Sequence, residues 1–565
     1  MKVLSLFWTL AAFSMGSMVL AQDHAESQSQ SFQRSPLQQK YQGVERRSTS
    51  ELLQQSAGVD VARFPVEFRT LDGSDNNVRH PDWGVAEAIY RRLLRPEYAD
   101  GFGSPSGADR PSARAISNAV VAQASSIPNA NGVSDFMWQW GQFLDHDLDE
   151  TPIADPAEAF DIEVPIGDLW FDPQQSGTEL IPLDRSGYDT VDGVRRQLNL
   201  ITAYIDASNV YGSDTIRAHA LRTLDGSGRL RTSTGGLLPF NEEGLANAPT
   251  NEDIYFLAGD VRANEQVGLT AMHTLFVREH NYWARHLRQQ GMRDGEQIYQ
   301  MARAMVTAEI QAISYREFLP KLLGASALPT YRGYRDDVPV TISNEFATAA
   351  YRFGHTMLSP NLLRLEADGS THAAGHLSLA AAFFAPQETV TAGIEPVLRG
   401  LASQRAQEID PYLIDEVRNL LFGPPGAGGL DLAALNIQRG RDHGLPSYHE
   451  LRRVFGPGRA DSFASISPSA EVQARLSQVY AAVDDIDAWV GLLSEDHVAG
   501  AMVGPTLQGI LVDQFQRLRD GDRFWYESYF SERMVALIER QTLARIIRRN
   551  TEIGDELPDD VFLAR

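Results

Sequence analysis

The chain has 565 residues, 74 acidic and 50 basic side chains, a formal net charge of −24, no cysteine and 43% hydrophobic content. So large an excess of acid excludes charge-driven binding to nucleic acid or to an anionic membrane. Without cysteine there are no disulfides, so the core alone must supply stability; a chain of this length can bury enough surface to do so.

Lys2 is followed by an apolar run over residues 3–20 that closes with Val19-Leu20-Ala21. A charged start, a short apolar stretch and a small residue at the end predict a signal peptide over residues 1–21. Its removal takes one lysine and no acid, so −24 becomes −25. Residues 22–63 are polar and Gln/Ser-rich, and are expected to be flexible. From Phe64 to residue 565 the chain reads as globular and without repeats. No later apolar run is long enough to span a bilayer. The expected location is secreted or periplasmic.

Within the globular part, Trp140-Gly141-Gln142-Phe143-Leu144-Asp145-His146-Asp147 concentrates the chemistry. On a helix, at about 100° per residue, Gln142, Asp145 and His146 share one face. Asp147 points almost opposite Asp145, beside Phe136, Trp140 and Phe143. Apolar residues on both sides predict a buried helix. Buried carboxylates are costly unless bonded, paired or coordinating, so two facing opposite ways predict two separate partners. Asp145, Asp147, Asp149 and Glu150 mimic the start of an EF-hand loop. Glu150 stands where that loop needs glycine and Pro156 where it needs glutamate, so the match fails. A buried Asp–His pair satisfied by backbone remains the plain alternative.

Farther along, residues 269–287 read as a helix carrying His273, His280 and His286, whose spacing matches no standard zinc pattern. Ile298, Met301, Met305, Ala308, Ala312 and Tyr315 alternate by three and four, predicting a long amphipathic helix that Pro320 ends. Gly/Pro clusters at residues 101–111 and 423–429 predict loops.

Five segments, in order, resemble the animal-type haem peroxidases. They are Gln142-Phe143-Leu144-Asp145-His146-Asp147, Thr202-Ala203-Tyr204-Ile205-Asp206-Ala207-Ser208 and Gly259-Asp260-Val261-Arg262-Ala263-Asn264-Glu265, then Tyr351-Arg352-Phe353-Gly354-His355-Thr356 and Leu435-Asn436-Ile437-Gln438-Arg439-Gly440-Arg441-Asp442. The likeness runs from about Phe68 to Arg545-Ile546-Ile547. It implies a mostly α fold, one large helical haem peroxidase domain over residues 64–565 with very little β.

The resemblance implies roles. His355 is the proximal iron ligand, its other ring nitrogen donating to Asn436. His146 is the distal acid–base group, Arg262 stabilises charge as the O–O bond breaks, and Gln142 holds a distal water or a halide. A ferryl state would then oxidise halide, thiocyanate or aromatic donors. Asp145 and Glu265 resemble the carboxylates that ester-link a haem b derivative. Gln266 stands where one family member carries a sulfonium-forming methionine, so two esters and no sulfonium are expected. Arg352 pairs with a haem propionate, and Arg439 helps order the proximal side.

Asp147 acquires a calcium partner in this reading, shared with Thr202, the Tyr204 carbonyl, Asp206 and Ser208. That is an all-oxygen set with two carboxylates. The corresponding animal proteins are disulfide-rich, whereas Asp75 stands at one such place here; with no Asn-x-Ser/Thr sequon, this favours a bacterial exported protein. Two rivals exist. Lipid-oxidising members of the superfamily carry a radical tyrosine three residues before the proximal histidine, where this chain has Arg352. An adhesion module with residual peroxidase activity is the other.

Overall fold

The computed structural model describes residues 67–426 and 429–565; the expected signal peptide and the polar segment to residue 63 lie outside the described residues. Helices dominate. The longest strand, Val194–Asn199, has six residues and pairs antiparallel with Tyr188–Val191 and Ala88–Ile89. Two other antiparallel pairs have two residues per strand. This is the mostly α, β-poor architecture expected.

Helix α1 (Phe136–Asp145) buries Phe136, Trp140 and Phe143 against helix α2 (Val267–Gln289). Phe143 stacks on Phe276 at 5.0 Å between centroids, and Trp140 tilts against the same ring at 5.9 Å. Such ring pairs contribute about 0.5–1.5 kcal/mol each beyond the area they bury. The helix stops at Asp145, two residues earlier than the octapeptide reading implies. His146 N still donates to Gln142 O at 3.1 Å, while Asp147 N donates to Leu144 O at 3.0 Å, tightening the last turn. His146 keeps helical angles (φ −69°, ψ −4°), so the opposed directions of Asp145 and Asp147 survive the early stop.

Helix α3 (Gly295–Ile313) starts at Asp294, whose carboxylate accepts from Gln297 N at 2.8 Å. Pro320 does not end this run. A π-helical stretch, Ser314–Phe318, widens the spiral, and a short helix, Leu319–Leu323, restarts with Pro320 in its first turn. There the missing N–H costs nothing. Gly324, at φ +90°, makes the stop.

A 3₁₀ run, Ala350–Met357, carries His355, and helix α4 (Leu432–Asp442) packs Asn436 behind it. The start of α4 is pinned electrostatically. Asp431 accepts from Ala434 N at 3.0 Å, and its other oxygen takes Nη1 of the fully buried Arg114 at 2.7 Å. Arg114 also grips Asp168 at 2.7 Å, so the buried cation is paired on both sides. Helices α5 (Pro505–Asp520) and α6 (Leu543–Asn550) close the C-terminal part. Among the described residues no helix is long and apolar enough to cross a membrane.

Candidate active site

One cleft, with about 1100 Å³ of empty space, receives residues from α1, the turn before α2, the 3₁₀ run and α4. His146 and His355 both line it. Trp138, Leu358, Leu379, Phe383, Val417 and Leu432 supply apolar walls. Beside His355 a Cβ built on Gly354 would meet nothing within 4 Å, so the proximal side is open.

On the α1 side, Gln142, Asp145 and His146 reach the cleft together, with Arg262 and Glu265 from the turn before α2. Glu265 N donates to Arg262 O at 2.8 Å, and that turn presents both side chains to one space. Arg262 is held by Asp260: Nε to Oδ1 is 3.0 Å and Nη2 to Oδ2 is 2.7 Å. Nη2 also donates to Asp149 O at 3.0 Å. The same Asp260 Oδ1 stands 3.5 Å from His146 Nδ1, and Glu265 Oε2 stands 3.8 Å from His146 Nε2.

Burial holds His146 well below the usual imidazole range, and Arg262 adds to the effect. The ring is therefore neutral and able to accept a proton. Burial pulls the Asp260 carboxyl up, but Arg262, by its charge and its hydrogen bonds, outweighs burial and keeps it ionised. Burial lifts Asp145 to about 6 and Glu265 to about 7, each opposed chiefly by Arg262. The Gln142 amide is fixed at both ends, donating to Glu265 Oε2 at 2.9 Å and accepting from Gln266 at 3.1 Å.

On the proximal side, burial lowers His355 to about 3, with Arg352 assisting, so this ring is neutral too. Asn436 Nδ2 lies 2.9 Å from His355 Nδ1, while Asn436 Oδ1 accepts from Arg352 Nη1 at 3.2 Å. This reverses the expected bond, in which the amide oxygen accepts from the imidazole. The permanent cation of Arg352 claims the better acceptor. Arg352 lines the cleft; Arg439 does not. Instead Arg439 Nη1 donates to Asp184 O, Ser186 Oγ and Asp442 Oδ2 at 2.8–3.1 Å. These bonds tie α4 to the chain segment between residues 184 and 186.

Asp147 faces away from the cleft and meets residues 202–208. Ser208 Oγ donates to Asp147 Oδ1 at 2.7 Å and Ala207 N to Oδ2 at 2.9 Å. Thr202 Oγ1 and Ser208 N donate to Asp206 Oδ1 at 3.0 and 3.1 Å. The other Asp206 oxygen is buried without a partner. Burial and then Asp206 push Asp147 well above the carboxylate range, and burial raises Asp206. Two facing, desolvated carboxylates with an orphaned oxygen are what a bound cation would relieve. The Tyr204 hydroxyl is spent on Trp83 O at 2.7 Å, which leaves its backbone carbonyl for such a role. Among the described residues no group of three or more His, Cys, Asp or Glu is arranged to hold a metal. A cation here therefore rests on two carboxylates and neutral oxygens. Thr307 and Gln311 of α3 fasten the loop through the carbonyls of Asp206 and Ile205, both at 2.9 Å.

Two residues escaped the sequence reading of roles: Asp260 and Asp149. Asp149 lines the cleft beside Asp145. The available signal was an acid two residues before Arg262, a spacing that lets one carboxylate cap the turn and clamp the guanidinium.

A helical domain that presents two neutral imidazoles to one apolar-walled cleft is built as a haem protein. The profile of the animal haem peroxidase family matches residues 68–562, and the chain belongs to that family. Peroxidasin of Drosophila melanogaster is 37% identical over 559 residues, covering 88% of this chain and 36% of its own length. The present chain thus spans little more than a third of that relative. The solved structure of peroxidase A from Dictyostelium discoideum superposes with a TM-score of 0.81 at 34% identity, covering 88% of this chain and 99% of that one. A fatty acid alpha-dioxygenase from Arabidopsis thaliana superposes at 0.74 with 20% identity, over 88% of this chain and 83% of that one, a likeness of fold alone.

Proposed function

We propose that this chain reduces hydrogen peroxide to water and oxidises halide, thiocyanate or phenolic donors. The observation that carries the reading is the pairing across one cleft of His355, anchored at Nδ1 by Asn436, with a neutral His146 beside the Asp260-held Arg262. Haem, when bound, supplies the redox-active iron and porphyrin that take up the oxidising equivalents of peroxide.

His355 offers the neutral imidazole that an iron ligand requires. His146 takes the proton from one peroxide oxygen and returns it to the other as the O–O bond breaks. Arg262 faces the charge that develops, already oriented by Asp260 and needing no reorganisation. Gln142 has one amide N–H beyond its bond to Glu265, suited to a water or a halide. Arg352 is the propionate partner. Once a carboxylate engages it, Asn436 Oδ1 is released and the amide can turn its acceptor toward His355. Asp145 and Glu265 are the carboxyls we assign to two ester links, with Gln266 ruling out a sulfonium. Asp147, Asp206, Thr202, Ser208 and the Tyr204 carbonyl are assigned to calcium, and residues 1–21 to export from the cytoplasm.

Lipid oxidation is disfavoured by Arg352 at the place where the radical tyrosine of lipid-oxidising relatives is expected. The test is reconstitution with haem, followed by absorbance near about 400 nm and peroxide consumption. His355→Ala should lose the band and the turnover together. Wild-type protein that stays colourless would end the reading.

A further inference from the structure

A file of aromatic rings leaves the cleft and ends at a second, open pocket. Tyr351 lines the cleft four residues before His355. Its ring lies 5.6 Å from Phe515 of α5, Phe515 lies 6.2 Å from Tyr315, and Tyr315 lies 4.7 Å from Trp525. Trp525 then contacts Tyr526 at 4.9 Å and Tyr331 at 6.1 Å. All are within ring-contact range. Tyr315, Tyr331, Trp525 and Tyr526 line a surface pocket with about 780 Å³ of empty space, together with Arg519 and Glu527.

Proton placement distinguishes the members of the file. The Tyr351 hydroxyl is buried without a partner, so a radical formed there has nowhere to send its proton. The Tyr315 hydroxyl donates to a carbonyl, Phe515 O, at 2.5 Å, which cannot take the proton. Trp525 differs: its indole Nε1 donates to the Glu527 carboxylate at 3.2 Å, and Glu527 is exposed. The pocket also has recognition chemistry for an oxygen-bearing aromatic. The Arg519 guanidinium sits 5.5 Å from the Tyr331 ring centroid, and its Nη2 is buried with no partner.

We propose that the pocket formed by Tyr331, Trp525, Tyr526, Arg519 and Glu527 is a second oxidation site, for phenolic donors too large to enter the haem cleft. It is wired to that cleft through Tyr315, Phe515 and Tyr351. The inference rests on the peroxidase reading above, which supplies peroxide as the oxidant. An electron leaves Trp525 along the ring file, and the indole proton passes to Glu527. A phenol in the pocket then gives one electron to the indole while Glu527 returns the indole proton, and the phenol, its own proton passing to solvent, leaves as a phenoxyl radical. Two phenols are oxidised per peroxide, and their two protons and two electrons complete the two waters.

The test has two readouts on the haem-loaded protein. The first adds hydrogen peroxide and the spin trap 2-methyl-2-nitrosopropane without donor, then locates adducts by mass spectrometry of the digest. Adducts are expected on Tyr331, Trp525 or Tyr526. The second compares oxidation of tyramine coupled to dextran with oxidation of iodide. In Trp525→Phe, and separately in the milder Tyr331→Phe, the ratio of dextran-tyramine to iodide turnover is expected to fall by about tenfold. Adducts confined to residues outside this pocket, or a ratio unchanged in both variants, would overturn the relay. If wild-type protein oxidises neither probe, the peroxidase reading fails, and the relay falls with it.

Discussion

Asp260 clamps Arg262 through two parallel hydrogen bonds of 3.0 and 2.7 Å while standing 3.5 Å from His146 Nδ1. This carboxylate orients Arg262 and lies beside His146, whose Nδ1 has no hydrogen-bond partner. It also accounts for a permanent cation being tolerated beside a neutral imidazole in a buried space. Asp260→Asn should keep haem content but slow peroxide reduction by about 10–100-fold, the usual cost of losing a supporting partner. Stopped-flow consumption of peroxide checks it, and an unchanged rate would remove Asp260 from the distal machinery.

The paired carboxylates of Asp147 and Asp206 predict a calcium-linked stability. At a hundredfold excess over the dissociation constant, a ligand bound only by the folded state adds about 2.7 kcal/mol. A calcium chelator should therefore lower the melting temperature of wild-type protein. In Asp147→Asn the chelator should have no further effect. Identical melting of wild type with and without chelator contradicts the assignment.

Glu265 predicts a pH signature in the haem-free protein. Its carboxyl titrates at about 7 when folded, against 4.5 in the reference state. Between these values the folded protein keeps a proton that the unfolded chain has released. The contribution is fully present below 4.5 and is lost as pH rises through 7. Glu265→Gln carries no such penalty. Urea titrations should show the variant gaining up to about 3 kcal/mol on wild type across that window. A constant difference from pH 4 to 8 would refute the burial argument.

The C-terminal helix α6 is tied to the core by charge. Arg549 spans Glu279 of α2 at 2.6 and 3.0 Å and Glu309 of α3 at 3.4 Å, both carboxylates being fully buried. Arg549→Met should cost about 3–5 kcal/mol, because two desolvated acids lose their cation. The loss should shrink as pH falls, because burial raises both carboxyls and favours their neutral forms. Equal destabilisation at pH 5 and 8 would point to lost packing instead.

Local sequence carried much of this. The opposed faces of Asp145 and Asp147 follow from helical geometry. So does the long run now seen as α3, found from the spacing of its apolar residues. Motif order marks His146, Arg262 and His355, which the fold brings to one cleft, and Asn436, which it sets against His355. Other features were closed to that reading. Pro320 looked like a terminus, because a π-helical stretch that lets a helix restart leaves no spacing signature. Family likeness marks Arg439 but not its partners; the rotation of α4 brings it to Asp184 and Ser186.

What the chain by itself determined is periodic or contiguous: which faces are apolar, where helices run, and which residue types recur in the family's order. Partner choice was decided only in three dimensions. Arg352 takes the oxygen of Asn436, Arg549 joins two acids more than two hundred residues away, and Tyr351 reaches Trp525 through Phe515 and Tyr315. The physical reason is that backbone geometry repeats every few residues and so marks the sequence. A hydrogen bond or ring contact between distant segments depends on competition among all the groups that folding brings within reach.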